Sequence, residues 1–439
     1  MSQKNKFKQT EIGMIPEDWE VTEFINLLTE KTRNGIYKTK EFHGSGIKVI
    51  NMKELFAYPR IGDQEMKRVE LNNSEKSRFL VQEGDLIFAR RSLVAEGSGK
   101  CSLIVNHSEP LTFESSIILA RPNKKIVDSE YLYYFFSSPK GSQVMGAILR
   151  QVAVSGITGT DLMKLKIVKP SLLEQSAIAS ILSDLDFKIE LNQQMNKTLE
   201  AIGQALFKHW FVDFEFPNEK GKPYKSSGGE MVESELGEIP KGWRVSKIGT
   251  EFETILGGTP STINKSYWEN GIIAWINSGE INKFRITEPT AYITKEAVDN
   301  SATKLMPKGT TVLAITGATL GQVSRIEINT CANQSVIGII ENKDIPSEYI
   351  YLWIKHKIMG LISHQTGGAQ QHINKNNVNE LEILLPDDSV MLKFKEMIGT
   401  IFKNISINCF ESQNLSQIRD SLLPRLMSGK IRVPVEAQA

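Results

Sequence analysis

The sequence predicts an α+β protein in which two similar mixed α/β domains are each followed by one long helix. Two observations support this prediction. An internal repeat extends over almost all of the 439 residues, and in each copy a long helical pattern follows a region of short apolar segments. Repeats longer than about 50 residues indicate duplication of a whole domain and not a solenoid of small units.

The internal repeat is clearest near its start, where EIGMIPEDWEV (residues 11–21) matches ELGEIPKGWRV (residues 235–245). Later matches keep the same order, while the offset drifts from 224 to 216 residues, as small loop insertions produce. Six positions are identical in the opening match: Glu11, Gly13, Ile15, Pro16, Trp19 and Val21 recur as Glu235, Gly237, Ile239, Pro240, Trp243 and Val245.

Short apolar runs rich in β-formers lie between glycine-containing turns in each copy, which predicts strands. Amphipathic stretches at residues 129–137 and 347–360 predict helices between them. The predicted strands include residues 86–89, 115–120, 311–315 and 335–340.

A long helix is predicted over residues 172–211, which contain no proline and one glycine. Apolar residues recur there in steps of three and four, the spacing of a coiled-coil seam, with an asparagine in the seam of each copy. Forty helical residues span about 60 Å. The predicted seam consists of Ile181, Leu185, Asn192, Met195, Leu199, Ile202 and Leu206 in the first helix, and of Ile401, Asn408, Leu415, Ile418 and Leu422 in the second.

These patterns divide the chain into six segments. They are a first domain (1–170), a central long helix (171–216), an exposed polar linker (217–235), a second domain (236–386), a C-terminal long helix (387–431) and a tail (432–439).

The 52 Lys and Arg residues nearly balance the 51 Asp and Glu residues, giving a formal net charge of +1. Because DNA-binding domains are often strongly basic, a DNA-binding role requires the positive charge to be concentrated on one face. Cys101, Cys331 and Cys409 form no zinc-binding pattern and suit a reducing compartment. No apolar run has the length of a membrane span or signal peptide, so we expect a cytoplasmic protein.

Catalytic motifs are missing from the sequence. GSGKC (residues 97–101) resembles the end of a phosphate-binding loop, but Val94 and Cys101 replace the required glycine and Ser or Thr. No Asn-Pro-Pro-Tyr or Asp-Pro-Pro-Tyr stretch supports base methylation, and PDD (residues 386–388) is interpreted as a helix N-cap. We therefore expect a chain that is not an enzyme on its own.

Several stretches reinforce the order of domain, helix, domain and helix. Both domains open with I-P-x-x-W (15–19 and 239–243), LLEQSAIASIL (172–182) begins the first long helix, and GGTPSTINKSYWENGIIAWI (257–276) lies in the second domain. Together they resemble the specificity subunits of type I restriction–modification enzymes over essentially the whole chain. The start of the second helix departs from this pattern, since it lacks the Glu-Gln pair of the first.

The resemblance implies two target-recognition domains, each reading one half of a split DNA target. It also implies that the long helices form an antiparallel coiled coil, separate the readers and dock methyltransferase (modification) subunits, while motor–nuclease (restriction) subunits complete the enzyme. This chain would then bind double-stranded DNA and no cofactor, with S-adenosylmethionine, ATP and Mg²⁺ expected on the partner subunits. Unequal halves imply an asymmetric target, unlike the palindrome read by a homodimer.

Candidate DNA contacts lie in loops that differ between the copies. Arginine pairs with guanine edges and phosphates, and glutamine pairs with adenine, although a solvated hairpin tip explains the arginines at 89–92 equally well. The candidates are Arg90, Arg91, Ser92, Lys100, Arg150, Gln151, Ser155 and Thr158 in the first copy, and Thr259, Ser261, Lys265, Thr316, Thr319, Gln322, Arg325, Gln370, Gln371 and His372 in the second.

An alternative is an interaction scaffold, in which two domains on a coiled coil bind a protein and not DNA. The near-neutral charge slightly favours this alternative. Binding to random duplex with a steep salt dependence distinguishes the two, because phosphate contacts release counterions.

Overall fold

The computed structural model describes residues 6–92, 97–150, 155–363 and 373–434. The chain forms two compact units. Unit 1 comprises Met1–Lys188 and Leu415–Ala439, and unit 2 comprises Ile189–Asn414. Each unit therefore combines a globular region with part of each long helix.

Short strands and helices from the first copy of the repeat build unit 1. The strands are β1 (Phe7–Thr10), β2 (Gly13–Pro16), β3 (Glu20–Glu23), β4 (Arg33–Asn34), β5 (His43–Ile50), β6 (Arg60–Ile61), β7 (Arg68–Val69), β8 (Leu86–Ala89), β9 (Arg91–Ser92), β10 (Cys101–Ile104), β11 (Leu111–Phe113), β12 (Ile117–Ala120), β13 (Ser155–Gly156) and β14 (Lys166–Lys169). The helices are α1 (Met52–Ala57), α2 (Asn73–Phe79), α3 (Ser129–Ser137), α4 (Pro139–Gly146) and α5 (Gly159–Met163), and α6 (Leu172–Phe211) begins here.

A five-stranded sheet in the order β4-β12-β8-β10-β6 and a three-stranded sheet in the order β11-β5-β7 organise unit 1. β10 pairs antiparallel with β8 and parallel with β6. β14, which precedes α6, pairs antiparallel with β3, which follows Trp19. The start and the end of the globular region therefore meet beside the long helix.

The core of unit 1 surrounds α3, whose residues from Tyr131 to Phe136 are all buried. The sequence predicts an amphipathic helix here, with one exposed face. The structure instead buries α3 on all sides, as is typical of a helix that is apolar all around. Ile178 and Leu182 of α6 and Leu426 near the chain end belong to the same core.

The second copy builds unit 2 on a similar plan. Its strands are β15 (Met231–Ser234), β16 (Gly237–Pro240), β17 (Arg244–Lys247), β18 (Thr254–Leu256), β19 (Ile273–Ile276), β20 (Ala291–Ile293), β21 (Thr311–Ala314), β22 (Val323–Arg325), β23 (Cys331–Ala332), β24 (Val336–Ile339) and β25 (Glu382–Leu385). Its helices are α7 (Ile248–Glu251), α8 (Lys295–Asp299), α9 (Ser347–Ser363) and α10 (Lys375–Asn379), and α11 (Asp388–Met427) begins here.

A four-stranded sheet (β18-β24-β21-β22) and a three-stranded sheet (β20-β19-β23) organise unit 2, and β17 pairs with β25 as β3 pairs with β14 in unit 1. Its core combines Tyr349 and Trp353 of α9 with Phe211 of α6 and Phe394 of α11. The predicted strands are confirmed by β8, β12, β21 and β24, and the predicted helices by α3 and α9. Among the described residues, no helix has the length and apolarity to cross a membrane.

The two long helices pair in antiparallel orientation. In unit 2, Asn192 Nδ2 of α6 donates to Glu411 Oε2 of α11 (2.8 Å), and Asn408 Nδ2 donates to Asn196 Oδ1 (3.0 Å). Residues later in α6 therefore contact residues earlier in α11, as in an antiparallel pair. In unit 1, Arg419 Nη1 of α11 donates to Asp186 Oδ1 of α6 (2.7 Å).

The buried face of the helices differs from the predicted seam, apart from Asn192 and Asn408, which bond across it. Ile181, Met195, Ile202 and Ile418 are 37–48% exposed. Leu185, Leu199, Leu206, Ile401, Leu415 and Leu422 are half-buried. The physical reason is that polar side chains occupy part of the buried face. A search for regularly spaced apolar residues therefore selects a neighbouring face of the helix. The buried residues include Ile178, Leu182, Ile189, Asn192, Asn196, Glu200 and Phe207 of α6 and Phe394, Ile398, Phe402, Ile405 and Asn408 of α11.

The segment predicted to be an exposed linker (217–235) is largely exposed but anchored to unit 2. The Tyr224 ring stacks on Phe216 (4.6 Å between centroids), and Phe216 stacks on Trp243 (4.8 Å). β15 and β16 form a hairpin that matches β1 and β2. The second copy therefore begins at Met231, inside the predicted linker, because the hairpin's polar surface hides its strand pattern.

The end of the chain closes on the start of unit 1. Arg432 donates to both carboxylate oxygens of Glu174 (2.6 and 3.0 Å) and of Asp18 (3.0 and 2.7 Å). Glu174 is buried and also accepts from Trp19 Nε1 (2.9 Å). The residue that begins the tail in the sequence-based division is thus part of the unit 1 fold.

We expect Arg432→Ala to lower the thermal stability of unit 1, because it removes charge-assisted partners of a buried carboxylate. Such bonds contribute about 1.5–3 kcal/mol before solvent screening reduces them. The matched control is Arg244→Ala, which removes a largely exposed arginine from Glu251, a carboxylate that keeps its bond from Ser246, and should cost at most about 1 kcal/mol. Equal unfolding midpoints for the two variants, measured by calorimetry, would contradict this assignment.

Candidate nucleic-acid interface

Candidate segments that are distant in the sequence converge beside the end of β8 in unit 1. β9 pairs antiparallel with β13, so Arg91 lies opposite Gly156. Arg90 N donates to Ser116 O (2.9 Å), Ile157 N donates to Arg90 O (3.0 Å), and Gly35 N donates to Ile117 O (3.0 Å). We call residues 34–36, 90–92, 115–117 and 155–158 the unit 1 tip.

The same backbone contacts recur beside the end of β21 in unit 2. Ile315 N donates to Ser335 O (2.9 Å), Ile373 N donates to Ile315 O (3.0 Å), and Gly257 N donates to Val336 O (2.9 Å). Thr259 Oγ1 donates to Gln334 Oε1 (2.6 Å). We call residues 257–259, 315–319, 333–336 and 373 the unit 2 tip.

Close backbone approach explains the glycines of both tips. A Cβ at Gly35 would overlap the carbonyl oxygens of Phe113 and Glu114, and one at Gly257 would overlap those of Ala332 and Asn333. Only glycine allows such an approach. The glycines at 257 and 258 therefore allow the backbone of GGTPS (residues 257–261) to pack closely against residues 302–303 and 332–333.

Two candidates of the first copy are oriented by the unit 1 tip. Arg91 is exposed, and Arg90 is half-buried, with Nη1 donating to Ser115 O (3.3 Å). β9 also contains Ser92, which is half-buried. The tip therefore presents at least one arginine to solvent, the side chain most suited to guanine edges and phosphates.

The remaining candidates of the first copy have structural partners. Thr158 caps α5 and donates from Oγ1 to Asp161 Oδ2 (2.8 Å), while Arg150 donates to the same oxygen (2.7 Å) and stays largely exposed. Hydrogen bonds from Thr158 and then Arg150 lower the pKa of Asp161, so this carboxyl remains charged. Lys100 Nζ donates to Phe56 O (2.8 Å), outside the tip as defined.

Arg325 was wrongly predicted as a DNA contact. It is only 8% exposed, and its guanidinium bonds Glu327 (2.6 Å), Ser347 (3.0 Å) and Glu348 (3.2 Å). The physical reason is that Arg325 ends β22 with its side chain on the buried face, which a loop-based reading of the sequence does not reveal.

The other described candidates of the second copy are accessible to different degrees. Thr259, Ser261, Lys265 and Gln322 are exposed, whereas Thr316 and Thr319 are half-buried. Ser261 O accepts from Trp268 Nε1 (3.1 Å), so the backbone of this segment is held. Four candidates lie outside the described residues, as does the side chain of Ser155: Gln151, Gln370, Gln371 and His372.

Sequence reasoning missed the loops that precede β12 and β24. Ser115 and Ser116 belong to the unit 1 tip, and the exposed Gln334 belongs to the unit 2 tip. Tyr37, 78% exposed directly after the unit 1 tip, was also missed. The available signal was that ESS (residues 114–116) and NQS (residues 333–335) differ, although the strands that follow them, β12 and β24, match.

The two tips share a backbone arrangement and differ in side-chain chemistry. Arginines mark the unit 1 tip, whereas Thr316, Thr319 and Gln334 give the unit 2 tip uncharged donors and acceptors. Among the described residues, no cluster of His, Cys, Asp or Glu is placed to hold a metal ion. The structure therefore combines a duplicated scaffold with loop tips that differ in side-chain chemistry.

Comparison with known proteins identifies the family. The model of the type I restriction modification DNA specificity domain matches residues 16–201 and 240–419. One similar relative is the type I restriction enzyme MjaIX specificity subunit of Methanocaldococcus jannaschii, 27% identical, with 98% of this chain and 97% of the relative covered. Another is the type I restriction enzyme HindI specificity subunit of Haemophilus influenzae, 26% identical, with coverage of 81% and 88%.

The solved S subunit of the type I restriction–modification system from M. genitalium has a similar fold, with a TM-score of 0.57 at 14% identity, covering 93% of this chain and 96% of that chain. Since the family model matches most of the sequence, the chain belongs to the type I restriction modification DNA specificity domain family, with the domain present twice. The resemblance to specificity subunits and the predicted duplicated fold with long helices are confirmed.

We expect Arg91→Ala to weaken binding to specific DNA and to relax base preference at the position that this side chain contacts. Loss of an arginine–guanine contact costs about 1–3 kcal/mol, which is roughly 5- to 150-fold in affinity. Lys169→Ala removes a surface cation of the same unit outside the tip and serves as control. Unchanged affinity and base preference in Arg91→Ala would remove this residue from the interface.

Proposed function

We propose that this chain reads an asymmetric, two-part DNA target, one half with each unit, and directs partner subunits to it. The observation that carries this proposal is the recurrence of the same tip in both units. Equivalent backbone hydrogen bonds hold Arg90 in unit 1 and Ile315 in unit 2, while the surrounding side chains differ.

The asymmetry of the proposed target follows from the chemistry of the tips. An exposed guanidinium such as that of Arg91 favours guanine, whereas a glutamine such as Gln334 favours adenine. Two readers joined in one chain need not be identical, and their half-sites need not be related by symmetry. The near-neutral overall charge is compatible with reading by a few exposed loops.

The proposed partners are the methyltransferase and restriction subunits of a type I enzyme. In this arrangement the chain itself is non-catalytic and holds no cofactor. S-adenosylmethionine, ATP and Mg²⁺ bind the partner subunits instead. The family membership and the relatives named specificity subunits support this part of the proposal. We place the assembled enzyme in the cytoplasm, where DNA is available.

An apolar stripe on α6 in unit 2 provides a surface for docking a methyltransferase subunit. Leu191, Met195 and Ile202 lie at helical spacing and are 43–50% exposed. Exposed apolar side chains repeated along one helix favour a protein-binding role. Two of these residues were assigned to the seam by the sequence pattern, and their exposure leaves them available to a partner.

Replacement of residues 236–386 by the matching region of a relative with another target tests the proposal. Because each unit has its own tip, the variant, co-expressed with its methyltransferase subunits, should methylate a target in which only one half has changed. Methylated positions in the DNA of those cells provide the measurement, and replacement of residues 1–170 provides the reciprocal control. A swap that changes both halves, or neither, contradicts independent reading.

Binding of the purified chain to random duplex at increasing salt separates the proposal from a protein-binding scaffold. Phosphate contacts release counterions, so affinity should fall steeply with salt if the chain holds DNA. Salt-independent or undetectable binding would favour the scaffold.

A further inference from the structure

The most buried cation of unit 2 among the described ion pairs is Arg285, whose side chain has no solvent exposure. It precedes Ile286, which bridges in parallel to Ile326 after β22. Burial of a guanidinium is costly unless charges and hydrogen bonds compensate it. The partners of Arg285 therefore reveal what its burial accomplishes.

Both long helices and α9 enclose this guanidinium. Its Nη2 donates to Glu200 of α6 (2.8 Å), and its Nη1 donates to Tyr351 Oη of α9 (3.1 Å). The rings of Tyr351 and of Phe402 on α11 lie 4.6 and 5.0 Å from it, within the range of cation–π attraction. One side chain of the globular region thus contacts three helices.

A second connection runs from the same place to α11. Glu327 is buried 3.9 Å from Arg285 Nε, and it accepts from Arg325 Nη1 (2.6 Å) and from Ser406 Oγ of α11 (2.9 Å). On the α6 side, Lys355 Nζ donates to Glu200 Oε1 (3.1 Å). Although burial opposes ionisation of Glu200, the charges of Arg285 and Lys355 lower its pKa, so the network stays charged.

Unit 1 contains the counterpart at Arg60. β6, which begins with Arg60, pairs in parallel with β10, as Ile286 bridges in parallel to Ile326 in unit 2. Arg60 donates to Asp186 of α6 (3.2 Å) and to Tyr134 Oη (2.8 Å), and Asp186 in turn accepts from Arg419 of α11 (2.7 Å). The arginines are 225 residues apart, the same offset as Arg90 and Ile315 in the tips.

The helix carboxylates are not equivalent positions of the repeat. At the offset of 216 that relates the helices, Asp186 corresponds to Phe402, and Glu200 to Ser416. An arginine bonded to an acidic residue of α6 therefore recurs in both units with different acidic partners. Arg285 also touches α11 directly, whereas Arg60 is linked to α11 through Asp186 and Arg419. Charged hydrogen bonds are directional, and a buried charge that loses them is costly, whereas apolar contacts impose no preferred angle.

We propose that Arg285 is a positioning residue that fixes the direction of the unit 2 tip relative to the long helices, and thereby the gap length that the enzyme accepts between half-sites. This inference rests on the two-part target proposed above. One additional base pair rotates a half-site by about 34–36°. A tip locked by directional bonds rejects this rotation, and a loosened tip tolerates it.

The test uses the chain assembled with its cognate methyltransferase subunits. The target and its gap are read first from methylated DNA, and affinities are then measured for duplexes with the natural gap and with gaps one base pair shorter or longer. Arg285→Met removes the network's cation, Arg285→Lys keeps the charge but loses the planar fork, and Arg244→Met is the surface control.

We expect Arg285→Met to reduce the preference for the natural gap by roughly tenfold, equivalent to about 1.4 kcal/mol, with base preference in both half-sites unchanged. Arg285→Lys should show a smaller loss in the same direction, and it decides the question if the methionine variant does not fold. Wild-type gap preference in every folded Arg285 variant would overturn the positioning role alone. A wild-type target without a gap would overturn the two-part function and this inference together.

Discussion

The hydrophobic core of each unit depends on both long helices. In unit 1, Leu182 of α6 and Leu426 of α11 belong to the core that surrounds α3. In unit 2, Phe211 of α6 and Phe394 of α11 pack edge to face, with ring centroids 4.7 Å apart, in the core beside Tyr349. Because neither core is complete without helix residues, the loops that we propose as DNA contacts are built on the same elements that we propose to position them.

Backbone interactions at the tips explain how the two copies differ in side chains and still keep one architecture. Backbone hydrogen bonds at Arg90 and Ile315, and glycines at positions 35 and 257, hold equivalent loops at both tips. None of these interactions requires a particular side chain at the variable positions. We therefore expect substitutions at the tips to change the recognised DNA at little cost to folding, since loops tolerate change more readily than cores.

The fold was largely predictable because duplication makes each copy confirm the other. Matched strands and the extent of α6 follow from apolar spacing, but spacing does not reveal which stripe of a helix is buried when asparagines occupy the seam. Convergence of the tips was also hidden, since backbone bonds such as that from Ile157 to Arg90 join distant segments. Arg325 shows the same limitation, because its burial depends on Glu327 and on residues of α9.

The most direct measurement is the map of methylated positions in DNA from cells that express the unaltered chain with its cognate methyltransferase subunits. We expect one asymmetric motif made of two defined parts, separated by a fixed number of unspecified base pairs. A continuous motif, a palindrome or the absence of any motif would contradict two readers with different tips on one duplicated scaffold.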